Sequence, residues 1–273
     1  AYDGGYEVQK TNTLKTKKNP LKYAALAYLK FAEKKVFNEC EYIASIGPDI
    51  NITLGRRFPK DKIILIGNTV DTEKFKPISK SRNKFIKELG KYSDKKVIAF
   101  VGRINEFKGT GRFVEIASIV NKKRDDCVFI VVGNDKDDYK KECVKLQNRL
   151  NVQNLLWFAE RSDIVNVLNA TYLLVMPIWP LSHGTGNILM ESMACGTPVA
   201  NSRASAAKFV IKEWENGCLF EPYDVKEAAD KVIKVCEEPR LRDKMGRNAK
   251  KTVLMNHSVE SIVDKLENLY GYL

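Results

Sequence analysis

The chain has 273 residues, 44% of them hydrophobic, and a formal net charge of +12. No apolar run approaches the roughly 20 residues of a membrane-spanning helix, and the length is sufficient for one large core or two smaller ones. The basic balance suits an anionic partner, such as nucleic acid, an anionic membrane surface or a phosphorylated ligand. The alternative is a solvated lysine-rich surface, which we favour for most lysines because they are spread along the chain.

In the N-terminal part, the apolar residues show a regular spacing only after the first residues. It opens with AYDGG and no Met, which indicates a fragment or a processed chain, and TLKTKKNPLK is its densest basic cluster. Helical spacing runs from Pro20 to about Phe37. The pattern then predicts a strand in EYIAS, a helix in PDINITLGRRF, a strand in KIILIG and a loop in NTVDTEKFKP.

A second unit is predicted to begin near Ser79, with a helix that ends at Gly90. Strands and helices alternate after it, which predicts an α/β fold with a doubly wound parallel sheet, followed by three terminal helices. In such a sheet ligands bind beyond the carboxyl ends of the strands. The predicted strands whose following loops are candidate sites are VIAFVG, VFIVVG, LLWFA and LLVMP.

The six cysteines form no C-x-x-C pair, and no histidine lies at metal-ligand spacing from them. In a chain of this size we expect reduced, mostly buried thiols rather than a disulfide framework. A cytoplasmic setting fits this pattern best.

Two cations follow the strand VIAFVG, in the loop GRINEFKG. Arg103 and Lys108 would stand at the end of a buried strand, where a guanidinium fork and a mobile ammonium suit a diphosphate. Two ordinary surface cations in a basic protein are the alternative.

Glycines precede a predicted helix in HGTGNILMESMA. Gly184 and Gly186 would let backbone amides approach a ligand, and the amides of Gly186, Asn187 and Ile188 would be free donors at a helix N-terminus. A tight turn is the alternative. Glu191 lies further along this helix and would face either solvent or the hydroxyls of a ribose.

The pair Asp135 and Asp137 forms a D-x-D pattern, which in some enzymes holds a metal together with a sugar nucleotide. Here it precedes a predicted helix, where aspartates cap free amides and favour the positive end of the dipole. We therefore interpret it as helix capping.

Several motifs in order resemble the donor-binding half of the group 1 glycosyltransferases: VGRINEFKG, HGTGNILMESMACGTPVANS, ENGCLFEP and LRDKMGRNAKKTV. The resemblance runs from about Ala44 to the C-terminus. It implies a retaining enzyme of the GT-B architecture, in which two Rossmann-like domains face a cleft. On this basis we expect residues 1–76 to be a remnant of the N-terminal acceptor-side domain with the crossover, residues 77–255 to bind the nucleotide sugar, and residues 256–273 to form a helix that packs back on the N-terminal part.

The resemblance also implies roles for individual residues. Arg103 and Lys108 would bind the donor diphosphate and Glu191 the ribose hydroxyls, and these three would carry catalysis. The remaining donor-binding residues would be Gly102, His183, Gly184, Thr185, Gly186, Asn187 and Ile188, with Ala159, Glu160 and Arg161 receiving the nucleotide base.

The sequence departs from the family pattern at two places. The family usually carries a glutamate where this chain has His183, which leaves the contact to the donor sugar open. Most of the first, acceptor-binding domain of the family is also missing from the sequence.

The resulting hypothesis is a retaining glycosyltransferase that moves a sugar from a UDP- or GDP-sugar to a glycan or lipid-linked acceptor, without metal or cofactor. An anionic membrane surface and a second chain that completes the N-terminal domain are further expected partners, and nucleic acid is not expected. We expect a cytoplasmic protein, peripheral at the inner membrane face. The alternatives are a non-catalytic nucleotide-sugar-binding subunit and a nucleotide-sugar 2-epimerase.

Overall fold

A computed structural model describes residues 20–136, 138–179, 186–204 and 206–271. These residues fall into two compact units, the first ending at Asn68 and the second beginning at Thr69. The predicted domain limits at residues 76 and 255 stay predictions. Within the described residues, no helix has both the length and the apolar content to cross a bilayer.

The first unit contains short elements around a small apolar cluster. They are α1 (Pro20–Glu39), β1 (Ile43–Ser45), α2 (Pro48–Leu54), a 3₁₀ turn (Lys60–Lys62) and β2 (Ile63–Leu65). The strands β1 and β2 pair in parallel, with Ile43 opposite Ile63. The predicted helices and strands of this part are confirmed.

The second unit is an α/β domain with nine further helices and short 3₁₀ turns among its described residues. Its strands are β3 (Lys96–Val101), β4 (Cys127–Val132), β5 (Leu155–Phe158), β6 (Leu173–Met176), β7 (Val199–Ser202) and β8 (Gly217–Phe220). Its first helices are α3 (Lys84–Glu88), α4 (Thr110–Asn121), α5 (Tyr139–Arg149), α6 (Ile164–Ala170) and α7 (Asn187–Ala194). The chain ends with α8 (Ala207–Val210), α9 (Val225–Glu237), α10 (Pro239–Asn256) and α11 (Val259–Gly271).

All six strands of the second unit are parallel, in the order β5-β4-β3-β6-β7-β8. Ile98 of β3 lies opposite Leu173 of β6, and Lys96 lies opposite Cys127 of β4. The chain therefore winds outward from β3 to β5, returns to the other side of β3 and continues to β8. This topology confirms the predicted doubly wound sheet.

The core of the second unit lies on both faces of this sheet. Every residue of β4 is buried, as expected of a strand covered by helices on either side. Phe113 of α4 packs between Phe100 and Phe129, with ring centroids 5.8 and 6.0 Å apart. Each such buried aromatic side chain contributes roughly 1.5–3 kcal/mol of hydrophobic free energy.

The helix predicted to end at Gly90 is shorter than expected. The side chain of Asn83 is buried and accepts a hydrogen bond from the amide of Phe85, so the α-helix begins only after Asn83. A 3₁₀ turn, Lys80–Arg82, precedes this cap. The cap at Asn83 thus separates a 3₁₀ turn from an α-helix in a segment that was predicted to be one continuous helix.

The three predicted C-terminal helices are confirmed as α9, α10 and α11. α9 packs against α4, and α10 packs against α7 and α11. Ile262 is the buried residue of α11, and Val70 bridges to Ser258 just before this helix. The expected packing of residues 256–273 back on residues 1–76 remains a prediction.

Candidate functional site

The two central strands of the sheet, β3 and β6, lie where the strand order reverses. The loop after β3 leads toward β4, whereas the loop after β6 leads toward β7 on the other side. At such a switch point the two loops diverge and leave a crevice beyond the carboxyl ends of the strands. Both sequence-predicted binding loops follow these two strands.

Backbone contacts hold the loop after β3 against its neighbours. A Cβ atom at Gly133, after β4, would lie 1.8 Å from the Gly102 oxygen. Gly109 has a φ of +80°, and a Cβ there would lie 1.9 Å from the Pro177 oxygen, after β6. The amide of Trp179 also donates to the Phe107 oxygen at 2.9 Å. Only glycine fits these approaches, which bring the loops after β3, β4 and β6 together.

Arg103 and Lys108 lie in this loop, as the sequence predicts. Arg103 is exposed, whereas Lys108 is half-buried and its amide donates to the Asn105 Oδ1 at 2.8 Å. Burial and, next, the nearby positive charge of Arg103 lower the pKa of Lys108. The two cations are therefore close enough to repel each other, and an anion between them would relieve that repulsion.

The N-terminus of α7 supplies the opposite wall of the crevice. Gly186 precedes α7 with a φ of +64°, and no side chain in the described part of the chain caps this end. The amides of Asn187 and Ile188 are thus positioned as donors to an anion. His183, Gly184 and Thr185, which were predicted to extend this wall, lie outside the described residues.

Glu191 lies one turn into α7 and is half-buried. Burial raises the pKa of its carboxyl group, and the positive charge of Lys74 opposes this shift. Lys74 belongs to the segment predicted as the crossover loop. Burial disfavours the ionised form of this carboxylate, and Lys74 compensates for its charge only in part. Such a carboxylate is suited to accept hydrogen bonds from a ligand.

The loop after β5 contains the three residues that were predicted to receive the nucleotide base. Ala159 and Glu160 are exposed, and the side-chain amide of Asn134 donates through Nδ2 to the Glu160 carboxylate at 2.8 Å. The guanidinium of Arg161 forms ion pairs with both Glu88 and Asp163, each at 2.7 Å. Its hydrogen bonds to these carboxylates raise the pKa of Arg161 further. The side chain of Arg161 thus stabilises the loop, and contact of residues 159–161 with a base stays a prediction.

The aspartate pattern before α5 has one described member. Asp135 accepts a hydrogen bond from the amide of Lys140, in the first turn of α5, at 3.2 Å. This is the expected capping interaction. Asp137 lies outside the described residues, and the described ones contain no group of three or more His, Cys, Asp or Glu side chains placed to hold a metal ion.

Comparison with known proteins identifies the family. The sequence profile described as "Glycosyl transferases group 1" matches residues 81–252. The chain belongs to the group 1 glycosyltransferase family. The resemblance seen in the sequence motifs is thereby confirmed.

Two curated relatives illustrate the range of the family. The chain is 28% identical over 215 residues to the UDP-Gal:alpha-D-GlcNAc-diphosphoundecaprenol alpha-1,3-galactosyltransferase of Escherichia coli, covering 77% of this chain and 54% of that enzyme. It is 28% identical over 224 residues to the capsular polysaccharide biosynthesis glycosyltransferase CapM of Staphylococcus aureus, covering 78% and 56%. The chain thus spans about half the length of these group 1 glycosyltransferases.

Solved structures confirm the GT-B fold class. Anabaena Alr3699/HepE in complex with UDP superposes with a TM-score of 0.80 at 19% identity, over 87% of this chain and 65% of that one. The C-terminal domain of the group 1 protein LpcC from Francisella tularensis gives a TM-score of 0.62 at 27% identity, over 70% of this chain and 99% of that domain. The matched part of this chain therefore has the fold of such a C-terminal domain.

Two features of the site were not predicted from the sequence. One is the approach of Lys74 to Glu191, which depends on how the crossover loop folds onto α7. The other is a cluster in which Arg112 packs against the rings of both Trp179 and Tyr223. These side chains follow three different strands, so no local spacing connects them.

Proposed function

We propose that this protein is a retaining glycosyltransferase that takes a sugar from a UDP- or GDP-sugar. The observation that carries this proposal is the pair of mutually repelling cations, Arg103 and Lys108, in the loop after β3 at the switch point. The amides of Asn187 and Ile188 lie at the N-terminus of α7, the helix after β6, where no side-chain cap is present among the described residues. A diphosphate matches this arrangement in charge and in its number of acceptor oxygens.

The rest of the donor would extend from the diphosphate in two directions. The ribose hydroxyls would donate to Glu191, whose buried carboxylate lacks a close ion pair among the described residues. The base would lie against Ala159, Glu160 and Arg161, at the end of β5. UDP in the complex of Alr3699/HepE supports a uridine nucleotide as the first donor to test.

In the proposed reaction, catalysis depends mainly on electrostatic stabilisation of the charge that develops as the bond breaks. As the bond between sugar and diphosphate breaks, positive charge develops on the sugar and negative charge on the leaving oxygen. Arg103, Lys108 and the α7 amides would stabilise that negative charge from fixed positions, without reorganisation. These groups supply the positive field for which other transferases use a cation, so we propose a metal-independent reaction. Departure of the diphosphate and entry of the acceptor on one face of the sugar would retain the configuration.

His183 would stand at the sugar end of this site. An imidazole can donate or accept a hydrogen bond, and it can gain a positive charge close to a phosphate. A glutamate at that position would accept only and would repel the diphosphate. We therefore propose that His183 contacts the donor sugar or the distal phosphate.

The acceptor would be a glycan or a lipid-linked saccharide. The name of the Escherichia coli relative gives a diphosphoundecaprenol-linked substrate for that enzyme, which supports the lipid-linked class. The formal charge of +12 favours a cytoplasmic protein that contacts an anionic membrane surface at the inner face. Large apolar side chains exposed on α1, among them Tyr28, Leu29 and Phe31, support the proposal that a second chain completes the first unit.

Incubation with radiolabelled UDP- and GDP-sugars tests the proposed function. Release or transfer of the sugar, with the anomeric configuration of the product read by NMR, would support a retaining transferase. Conversion of the nucleotide sugar to an epimer would instead support the 2-epimerase alternative. Binding without any turnover, in the presence of membrane extract as a source of acceptor, would support the non-catalytic subunit.

A further inference from the structure

A stack of aromatic rings and one arginine lies beside the loops after β3, β6 and β8. The guanidinium of Arg112, in the first turn of α4, is 4.8 Å from the ring centroid of Trp179 and 4.6 Å from that of Tyr223. The two rings meet edge to face at 5.4 Å, and Phe107 contacts Trp179 in the same way at 5.6 Å. Nothing in the proposed donor site uses these four side chains.

Arg112 keeps its hydrogen-bond donors available. Among the described residues it forms no hydrogen bond and no ion pair, although Glu106 and Glu115 act on it electrostatically at longer range. Both rings lie on the same side of the guanidinium, because their centroids are only 5.4 Å apart, and neither ring covers its other side. The edge of the guanidinium presents paired N–H donors, which match a phosphate or carboxylate group in a bidentate manner.

The position of Arg112 is unfavourable without a bound anion. The first turn of a helix carries the positive end of the helix dipole, and α4 has no acidic residue there. Burial lowers the pKa of Arg112, which means that its charge is poorly solvated. A cation placed in this way costs stability, and a bound oxyanion would offset that cost.

Two further features indicate that the stack is built for a ligand. Tyr223 has a φ of +73°, a strained conformation for a bulky residue, and this conformation carries its ring over Arg112. The indole Nε1 of Trp179 is buried and has no hydrogen-bond partner among the described residues. Phe107 and Tyr223 nevertheless leave 51% and 53% of their surface exposed.

We propose that Arg112, which packs against Trp179 and Tyr223, binds a phosphate or carboxylate group carried by the acceptor. Phe107 and Tyr223 supply an exposed aromatic surface for the part of the acceptor next to that group. The assignment to the acceptor rests on the proposed function, because the donor diphosphate is assigned to Arg103 and Lys108. The oxyanion site itself is a property of the four side chains and can be tested without turnover.

The indole signals of the protein provide a direct readout. The chain has three tryptophans, and the Trp157 Nε1 already donates to Gln147 at 2.6 Å. We would titrate ¹⁵N-labelled protein, saturated with UDP, with phenyl phosphate and separately with benzoate, and assign the Trp179 signal with Trp179→Phe. Both anions should shift the Trp179 indole signal saturably and leave the Trp157 signal in place. Phenol, which has the ring but no oxyanion, should bind at least about tenfold more weakly, since bidentate charge-assisted hydrogen bonds would be missing.

Substitution of Arg112 separates this site from the donor site. Arg112→Gln should weaken binding of both anions at least about tenfold, and Arg112→Lys should weaken it several-fold because an ammonium lacks the fork. Arg149→Gln, the same change at an exposed arginine at the end of α5, is the matched control and should have no effect. UDP affinity, measured by calorimetry, should stay within about twofold in all three variants, as expected for independent sites.

Several results would overturn the proposal. One is a Trp179 indole signal of the parent protein that neither anion shifts, and another is a shift with phenol as large as that with the anions. A third is anion affinity of Arg112→Gln equal to that of the parent, and a fourth is a loss of UDP affinity in Arg112→Gln that matches its loss of anion affinity. The last result would place Arg112 in the donor site. Absence of UDP binding by the parent would instead contradict the proposed function, and the same titrations without UDP would still report on Arg112. Melting curves of the variants check that each is folded.

Discussion

The electrostatic surroundings of the cations differ between the two ends of the central sheet. At the amino end, Lys96 and Arg124 both bind the carboxylate of Asp126, at 2.7 and 2.8 Å. Hydrogen bonds from Arg124 and then from Lys96 hold the pKa of Asp126 well below its usual range. At the carboxyl end, burial and Arg103 lower the pKa of Lys108 instead.

This difference separates cations that stabilise the fold from cations that are available to a ligand. At the amino end, the cations pair with Asp126, whereas Arg103 and Lys108 lie in one loop beside the crevice and repel each other. Arg161, in the loop after β5, pairs with Glu88 and Asp163 and so resembles the cations of the amino end. We therefore base the candidate site on the mutual repulsion of Arg103 and Lys108 rather than on the number of basic residues.

The largest expected effect follows from removing the cations of the carboxyl end. Arg103→Ala and Lys108→Ala should each weaken UDP or GDP binding by about 1.5–3 kcal/mol, the scale of a charged hydrogen bond. Calorimetric titration measures this effect. Stability should change less than nucleotide affinity does, because Arg103 is exposed and burial disfavours the charged form of Lys108. Arg124→Ala is the control at the amino end and should leave nucleotide affinity unchanged; unaltered affinity in both carboxyl-end variants would refute the phosphate assignment.

Glu191→Gln should weaken binding of UDP by about 1–2 kcal/mol, since a carboxylate accepts from hydroxyls more strongly than an amide does. Binding of 2′-deoxy-UDP should fall less. Comparison of the two affinities by calorimetry in parent and variant gives the result. An equal loss for both nucleotides would show that Glu191 does not contact the 2′-hydroxyl.

The same substitution should raise stability in the absence of ligand. Because burial raises the pKa of Glu191 in the folded state, the ionised form opposes folding at neutral pH. Glu191→Gln should therefore increase the free energy of unfolding at pH 7, and the advantage should disappear below about pH 4, where glutamate is protonated in both states. Urea unfolding across this pH range measures the difference. A variant less stable than the parent at pH 7 would show that the carboxylate is structural.

Asp126→Asn should lower stability at the other end of the sheet by about 1 kcal/mol, a modest value because this side chain is more than a third exposed. Its pKa is depressed in the folded state, so the contribution is present at neutral pH and is lost as the pH falls below about 4. Thermal unfolding at pH 7 and pH 3 should show the difference shrinking. Nucleotide affinity should remain as in the parent. A large change in affinity would show that the amino end of the sheet also influences nucleotide binding.

The smallest effect is expected at the sugar end. If His183 contacts the donor, binding of a UDP-sugar should tighten by less than about tenfold as the pH falls toward 6, because the imidazole gains positive charge. His183→Glu should abolish this pH response and change the preference among donor sugars. A response identical to that of the parent would make His183 a bystander.

The sequence predicted the sheet because alternating apolar strands and helices are a local pattern. The roles of Arg103, Lys108 and Glu191 come from the order of the family motifs and stay predictions. The partners of these side chains were not predictable, since they come from distant segments. Lys74 reaches Glu191 from the crossover loop, and Tyr223 reaches Arg112 through a backbone conformation that no residue pattern in that segment indicates.

Hydrogen exchange with and without nucleotide tests the central claim most directly. Addition of UDP or GDP should slow amide exchange in residues 102–109 and 186–191, at the carboxyl ends of β3 and β6. Exchange around Lys96, Arg124 and Asp126, at the amino end, should remain unchanged. Protection confined to the amino end or to other surfaces, or no protection by either nucleotide, would contradict a nucleoside diphosphate site at the switch point of the sheet.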